Sequence, residues 1–303
     1  MRIVVLGGSG LIGRALVARL AADGVEAWVV SRSPERLGDL PAGVRATGWD
    51  GRTASGFAAL VDGAHALVNL AGEGIADGRW SAARKRRIVE SRTVAAAACH
   101  EAIEQAASRP AVLVQASAVG YYGSRGDEEL TESSPGGSSG FLAATTAAWE
   151  ASSLAAEGLG VRRVLLRTGV VLDPRGGALG KMLTPFRLGL GGPLGDGCQW
   201  FPWIHRDDQV AAIRFLIDRE DLAGPFNLVA PQPRRNADFG RALAGALGRP
   251  FLLPAPAFAL RAAFGEMAET ILGSQRVLPR RLLDAGFTFR FPEIGPALAD
   301  LLR

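Results

Sequence analysis

The stretch Arg2–Gly13, RIVVLGGSGLIG, decides the fold. Arg2–Gly7 is an apolar run of strand length and reads as a strand buried on both faces. Leu11–Asp23 carries apolar residues at helical spacing and stops at Gly24. Between them Gly7, Gly10 and Gly13 keep a Gly-x-x-Gly-x-x-Gly spacing, with Ser9, Leu11 and Ile12 in the intervening positions. Gly7 permits the tight turn, Gly10 lets backbone N–H groups approach a pyrophosphate, and Gly13 lets the helix pack close to the sheet. The helix start adds unpaired N–H groups and a partial positive charge that suit an anion. A strand before the glycines, a helix after them and a second strand beyond point to dinucleotide binding.

Working outward, Glu26–Ser31 is that second strand, and it ends Val30-Ser31-Arg32-Ser33 without a carboxylate. An acidic side chain there would accept from the ribose hydroxyls of NAD. Arg32 can instead fork onto a 2′-phosphate, with Ser31 adding a hydrogen bond, so NADP (NADPH) is the expected cofactor. Strands at Ala66–Ala71, Ala111–Ser117 and Arg163–Leu172 alternate with helices at Ser81–Ala107 and Leu142–Glu157, and a loop covers Ala118–Gly140. This is the grammar of an α/β, doubly wound parallel Rossmann sheet. Leu70, Ala71 and Gly72 end a strand beside the glycine loop, where backbone should run along the riboses. Thr168–Val171 (Thr168, Val171) ends a central strand that should pass under the nicotinamide.

After Leu172 the pattern changes. Asp173–Gly197 is rich in Gly and Pro, Cys198–His205 packs aromatics closely, Val210–Asp218 reads as a helix and Gly224–Val229 as a returning strand. Asn236–Arg303 reads as a helical tail. The expected division is a Rossmann domain over residues 1–172, with 206–229 returning to it, and a smaller, mainly helical cap on the substrate side made of 173–205 and 230–303.

The 303 residues carry a formal charge of +4, 48% hydrophobic and 21% charged residues, a balance that excludes a disordered chain or a coiled coil. No apolar run approaches the ~20 residues of a membrane helix, and no signal peptide is visible before the first strand. The isoelectric point near 9.6 looks nucleic-acid-like, but the excess charge is mild and almost wholly arginine, Lys85 and Lys181 being the only lysines. Neither nucleic acid nor membrane is expected as a partner. Cys99 and Cys198 lack metal-ligand spacing and read as buried free thiols of a cytoplasmic protein. A monomer or homodimer acting on a small-molecule substrate, with no metal, is the resulting expectation.

The chain resembles the extended short-chain dehydrogenase/reductases, the NAD(P)-dependent epimerase/dehydratases. The residues that carry this are Gly7–Gly13, Asn69–Gly72, Ser117 with Tyr122-Gly123, and Trp203–Asp208. More narrowly it is similar to the atypical, YfcH-like "epimerase family protein" group, through Val68–Ile75, Arg79-Trp80, Glu90–Arg92, Ser117–Gly123, Trp149-Glu150, Arg167–Leu172, Gly176–Gly192, Phe201–His205 and Pro279–Leu282. The resemblance spans the chain and implies bound NADP and a carboxy-terminal domain of unknown role. It also implies that Asp50 lies where relatives often meet adenine, that Glu73 stands beside the cofactor, and that Arg92 matches a position where they place a polar residue near it.

Ordinary members of that superfamily use a Tyr-x-x-x-Lys pair to exchange a proton while hydride moves. This sequence has none. Arg125 and Gly126 stand four residues after Tyr121 and Tyr122, and Ser81 and Gly177 stand four before the two lysines. Anchoring on Trp149-Glu150 places the missing pair at about Leu142 and Thr146. Two readings follow: an oxidoreductase or epimerase with substitute groups, acting on a small molecule such as a nucleotide sugar, or an NADP(H)-binding redox sensor or scaffold without turnover. For the first, Ser117 and Tyr122 are the expected catalytic residues, with Glu73 or His205 as further proton sources. Lys181, Arg187, Trp200–Trp203 (Trp203) and His205 are the expected substrate side, an aromatic wall with cations suited to a ring bearing an anion.

Overall fold

The computed structural model describes residues 1–303. Seven strands form one parallel sheet: β1 (Arg2–Leu6), β2 (Glu26–Ser31), β3 (Val44–Gly48), β4 (Ala66–Asn69), β5 (Val112–Ala118), β6 (Arg162–Thr168) and β7 (Gly224–Leu228), in the order β7-β6-β5-β4-β1-β2-β3. The reversal of direction between β1 and β4 is the topological switch of a doubly wound Rossmann fold, as the alternation of the sequence implied. Four main helices flank the sheet: α1 (Leu11–Ala22), α2 (Ala82–Gln105), α3 (Phe141–Ala151) and α4 (Arg206–Asp218).

Each face of the sheet has its own core. Ile3, Val5, Val68, Val114 and Leu166 pack with Leu16 and Leu20 of α1 and Ile213, Leu216 and Ile217 of α4. Val4, Leu6, Leu67 and Leu113 pack on the opposite side with Ala98, Cys99, Ala102 and Ile103 of α2. The continuous Val/Ile/Leu runs of the sequence follow from this double burial. A third core joins the 177–187 helix, the 236–246 helix and the 294–301 helix around Phe186, Phe239 and Trp203. The tail also returns to the main sheet, since Leu282, Phe287 and Phe289 lie in the α1/α4 core.

Three boundaries differ from the sequence expectation. The helix expected over Leu142–Glu157 stops at Ala151, because the Ser152 and Ser153 hydroxyls donate back to the Trp149 and Glu150 carbonyls and a short 155–158 turn follows. The strand expected over Arg163–Leu172 breaks at Gly169. A Cβ there would stand 2.3 Å from the Pro202 carbonyl oxygen. Beyond the break, residues 170–172 pair with 203–205 in a separate two-stranded sheet. The α4 helix begins at Arg206 and not at Val210, because the His205 ring Nδ1 accepts from the Asp207 N–H at 3.0 Å and caps it.

Candidate functional site

The carboxyl ends of the strands share one edge. At its centre, Gly7 adopts φ +78°, and a Cβ there would lie 2.7 Å from the Leu70 carbonyl group. A Cβ on Gly13 would lie 2.2 Å from the Gly7 oxygen. These contacts shape a cradle that side chains would fill. No side chain caps α1 at Gly10, so the N–H groups of Leu11, Ile12 and Gly13 face outward unpaired, and Arg14 donates to the Ser9 carbonyl at 2.8 Å. The turn fits an anion at the positive end of a helix.

Toward β2 and β3, Arg32 is exposed, makes no ion pair or hydrogen bond, and its Cδ is 3.1 Å from the place a Gly51 Cβ would take. Ser31 Oγ accepts from the Ser33 N–H at 3.2 Å. Asp50 does not stand free for a base. Its carboxylate accepts from Thr53 Oγ1 (2.6 Å) and from the Arg52 and Thr53 N–H groups, and the Thr53 hydroxyl holds its pKa below the usual carboxylate value. That set of bonds shapes the turn under Arg32.

Toward β4, the Leu70 carbonyl crowds Gly7, the Ala71 N–H donates to Asn69 Oδ1, and Gly72 lies against the Arg92 guanidinium. Glu73 is no free base either: its carboxylate faces Arg84 at 3.7 Å and Arg87 at 3.3 Å. Arg92 donates through Nη1 to the Glu73 and Ile88 carbonyls, lies over the Trp149 ring, and is brought by burial down to a pKa of about 10.

A cavity of about 970 Å³ opens at the ends of β5 and β6. Ala118–Gly120 and Thr168–Val170 floor it, α3 gives Leu142, Thr145, Thr146 and Trp149, and Arg92 enters from α2. Trp200, Phe201, Pro202 and the 265–273 stretch of the tail close the far side. Leu142 and Thr146, the positions expected to replace Tyr and Lys, both line it. The Thr146 hydroxyl donates to its own helix, at the Leu142 carbonyl (2.8 Å). Val171 itself turns away into the α1/α4 core, while Thr168 reaches the cavity and accepts from Gln209.

Ser117 and Tyr122, the expected catalytic residues, are buried and are not among the residues that line this cavity. Ser117 Oγ donates to Glu150 Oε1 at 2.6 Å, and Glu150 pairs with Arg167 through both carboxylate oxygens (2.8 and 3.0 Å). Arg167 donates on to the Tyr122 hydroxyl and the Glu132 carbonyl, and it stacks on Tyr121. The Tyr122 hydroxyl donates to Asn227 Oδ1 at 2.7 Å, and burial raises its pKa to about 12. Asn227 in turn donates its backbone N–H to Glu132 and its side-chain amide to the Leu278 carbonyl. The result is a closed, buried polar network that stitches β5, β6, β7, α3 and the tail together.

The expected substrate side separates as well. Trp203 and His205 are fully buried, the first in the cap core and the second stacked on Phe291 at 3.9 Å. Lys181 is bound at the surface to the Ala76 carbonyl and Asp77, and Arg187 is exposed on its helix, so neither lines the cavity. The aromatic wall keeps Trp200, Phe201 and Pro202. Thr145, Gln199 and Gln275 are among the cavity residues the sequence did not single out. The helical spacing of Thr145, Thr146 and Trp149 with Leu142 was the available signal.

A glycine turn opening onto a helix at the switch of a parallel sheet, with a cavity beside it, defines a dinucleotide-binding Rossmann protein. The chain belongs to the NAD dependent epimerase/dehydratase family, whose model matches residues 3–228, and residues 255–301 match a domain of unknown function (DUF1731). It is 41% identical to the "epimerase family protein SDR39U1" of Bos taurus over the full length of both chains. It is 42% identical to the "epimerase family protein Mb2239" of Mycobacterium bovis, covering 98% of this chain and 96% of that one. A crystal structure of the human epimerase family protein SDR39U1 with NADPH superposes with a TM-score of 0.89 at 38% identity, covering 99% of each chain. No helix here is long and apolar enough to cross a membrane.

Proposed function

We propose that this chain is an NADP-dependent oxidoreductase or epimerase of the atypical extended short-chain type, working on a small molecule without a Tyr-x-x-x-Lys pair. The observation that carries the cofactor is the cradle kept open by Gly7, Gly10 and Gly13, with the unpaired Arg32 standing beyond β2 to meet a 2′-phosphate. NADPH bound to the human relative supports the same choice. When bound, the nicotinamide supplies two-electron hydride chemistry. The chain's own part is to hold the diphosphate on the α1 N–H groups and to pass the riboses along Leu70–Gly72. Its cavity, with residues 173–205 and 230–303 as the substrate-side cap, excludes water around the reacting group. Free thiols at Cys99, which is buried, and at Cys198, which is exposed and not buried as expected, suit the cytoplasm, and a monomer or homodimer with no nucleic-acid partner completes the proposal.

One observation favours a second reading. Leu142 is apolar, Thr146 bonds its own helix, and Ser117 and Tyr122 are locked inside, so the usual proton donors do not face the cavity. An NADP(H)-binding redox sensor or scaffold needs none. Following NADPH absorbance with a panel of aldehydes and ketones, and sugar conversion by NMR with NADP⁺ and a panel of nucleotide sugars, separates the two. Oxidation of NADPH by a carbonyl or conversion of any sugar supports the enzyme, and nucleotide binding without turnover across both panels supports the sensor.

A further inference from the structure

We propose that Arg92 is a fixed positive charge on the nicotinamide side of the site, which makes the protein hold the reduced cofactor more tightly than the oxidised one. This assignment rests on the cofactor proposal above and adds to it a preference between redox states.

The sheet order gives the direction. With the pyrophosphate at the Gly7–Gly13 turn and the adenosine over β2 and β3, the other half of a dinucleotide must cross β4 toward β5 and β6. That path ends in the cavity, and Arg92 lies in its wall. The guanidinium is held from three sides. Nη1 donates to the Glu73 carbonyl at 3.0 Å and to the Ile88 carbonyl at 2.8 Å, Cζ lies 4.8 Å from the Trp149 ring centroid, and the same carbon is 3.3 Å from the place a Gly72 Cβ would take. All its direct partners are uncharged.

The acidic groups nearby are engaged or on the far wall. The Glu73 carboxylate is paired with Arg84 and Arg87 and acts on Arg92 only through space, against the larger effect of burial. The other ionisable residues lining the cavity are Arg261, Glu269 and Glu266, and Glu266 is paired with Lys85. Arg92 therefore presents a charge without a dedicated counter-ion. An oxidised nicotinamide carries a positive ring charge and a reduced one is neutral, so only the oxidised form is repelled. At a half-buried site, two unit charges within one cavity repel by enough to change affinity roughly tenfold.

Dissociation constants for NADPH and NADP⁺, measured by titration calorimetry on the wild-type chain, Arg92→Gln and Arg92→Lys, decide the matter. The expected wild-type result is NADPH bound at least about tenfold more tightly than NADP⁺. Arg92→Gln should bring the two affinities to within about threefold, and Arg92→Lys should keep most of the difference. Equal affinities in the wild type overturn the inference without any variant. So does a ratio that survives in Arg92→Gln, or a loss of both affinities together, which marks a structural role. So too does Arg92→Lys falling as far as Arg92→Gln, which marks shape and not charge. If both nucleotides bind with a flat ratio, this inference alone fails, whereas no binding of either removes the cofactor proposal beneath it.

Discussion

Over β1–β3 the carboxyl edge leaves its donors open: the α1 N–H groups have no cap, and Arg32 has no partner. Over β5–β7 the same edge turns its polar groups inward, where Ser117, Glu150, Arg167, Tyr122 and Asn227 satisfy one another. Unpaired donors at a surface cost little and remain ready for a ligand, whereas buried ones must be paired or they destabilise the fold. The first region thus leaves its donors free for a ligand and the second uses them to hold the strands together, although both lie at the edge where this class of fold places its ligands.

The largest effect that sharpens this contrast is expected from Glu150→Ala. It strands the buried Arg167 charge and should cost about 3–5 kcal/mol in urea unfolding. A variant of unchanged stability would break the picture of a structural network. In the open region the matching variant is Gly13→Ala. Its Cβ would meet the Gly7 oxygen, and nucleotide affinity measured by calorimetry should fall at least about 100-fold, about 2.7 kcal/mol. Unaltered affinity would mean that the cradle is not the binding site.

A smaller test is Tyr122→Phe, which leaves Asn227 Oδ1 without its donor and should cost about 1–2 kcal/mol of stability. If Tyr122 were a proton donor, the variant would instead keep its stability and lose turnover. The smallest effect concerns pH. Burial holds the His205 pKa below its ordinary value of 6.5, even with Asp300 3.4 Å from Nε2. The unfolded chain therefore takes up the proton first, so this contribution is complete above pH 6.5 and is lost as pH falls through the folded value. The melting temperature should drop between about pH 7.5 and pH 5.5 by less in His205→Asn, which keeps a cap for α4 without a titrating ring. An identical drop in both proteins would remove His205 from the account.

The open region was legible in the sequence because its rules are local. Glycine spacing, a preceding strand and the lack of a carboxylate after Val30 can be read within the first 33 residues. The closed region was not, because its partners are remote: Ser117 meets Glu150 across 33 positions, and Tyr122 meets Asn227 across 105. The family resemblance marked Ser117, Tyr122, Trp203 and His205 as chemical, yet burial gives the last two to the cap core and the α4 cap. The absence of Tyr-x-x-x-Lys was readable directly, and Leu142 and Thr146, the positions where the pair was expected, line the cavity. The break at Gly169 depended on Pro202, which no local pattern around the strand announces.

The most direct measurement titrates the purified chain and its Arg32→Asp variant with NADPH and NADH. The wild type should bind NADPH roughly 10–30-fold more tightly than NADH, and the variant should lose or reverse that preference. Equal affinity of the wild type for both nucleotides, or binding of neither, would contradict the account.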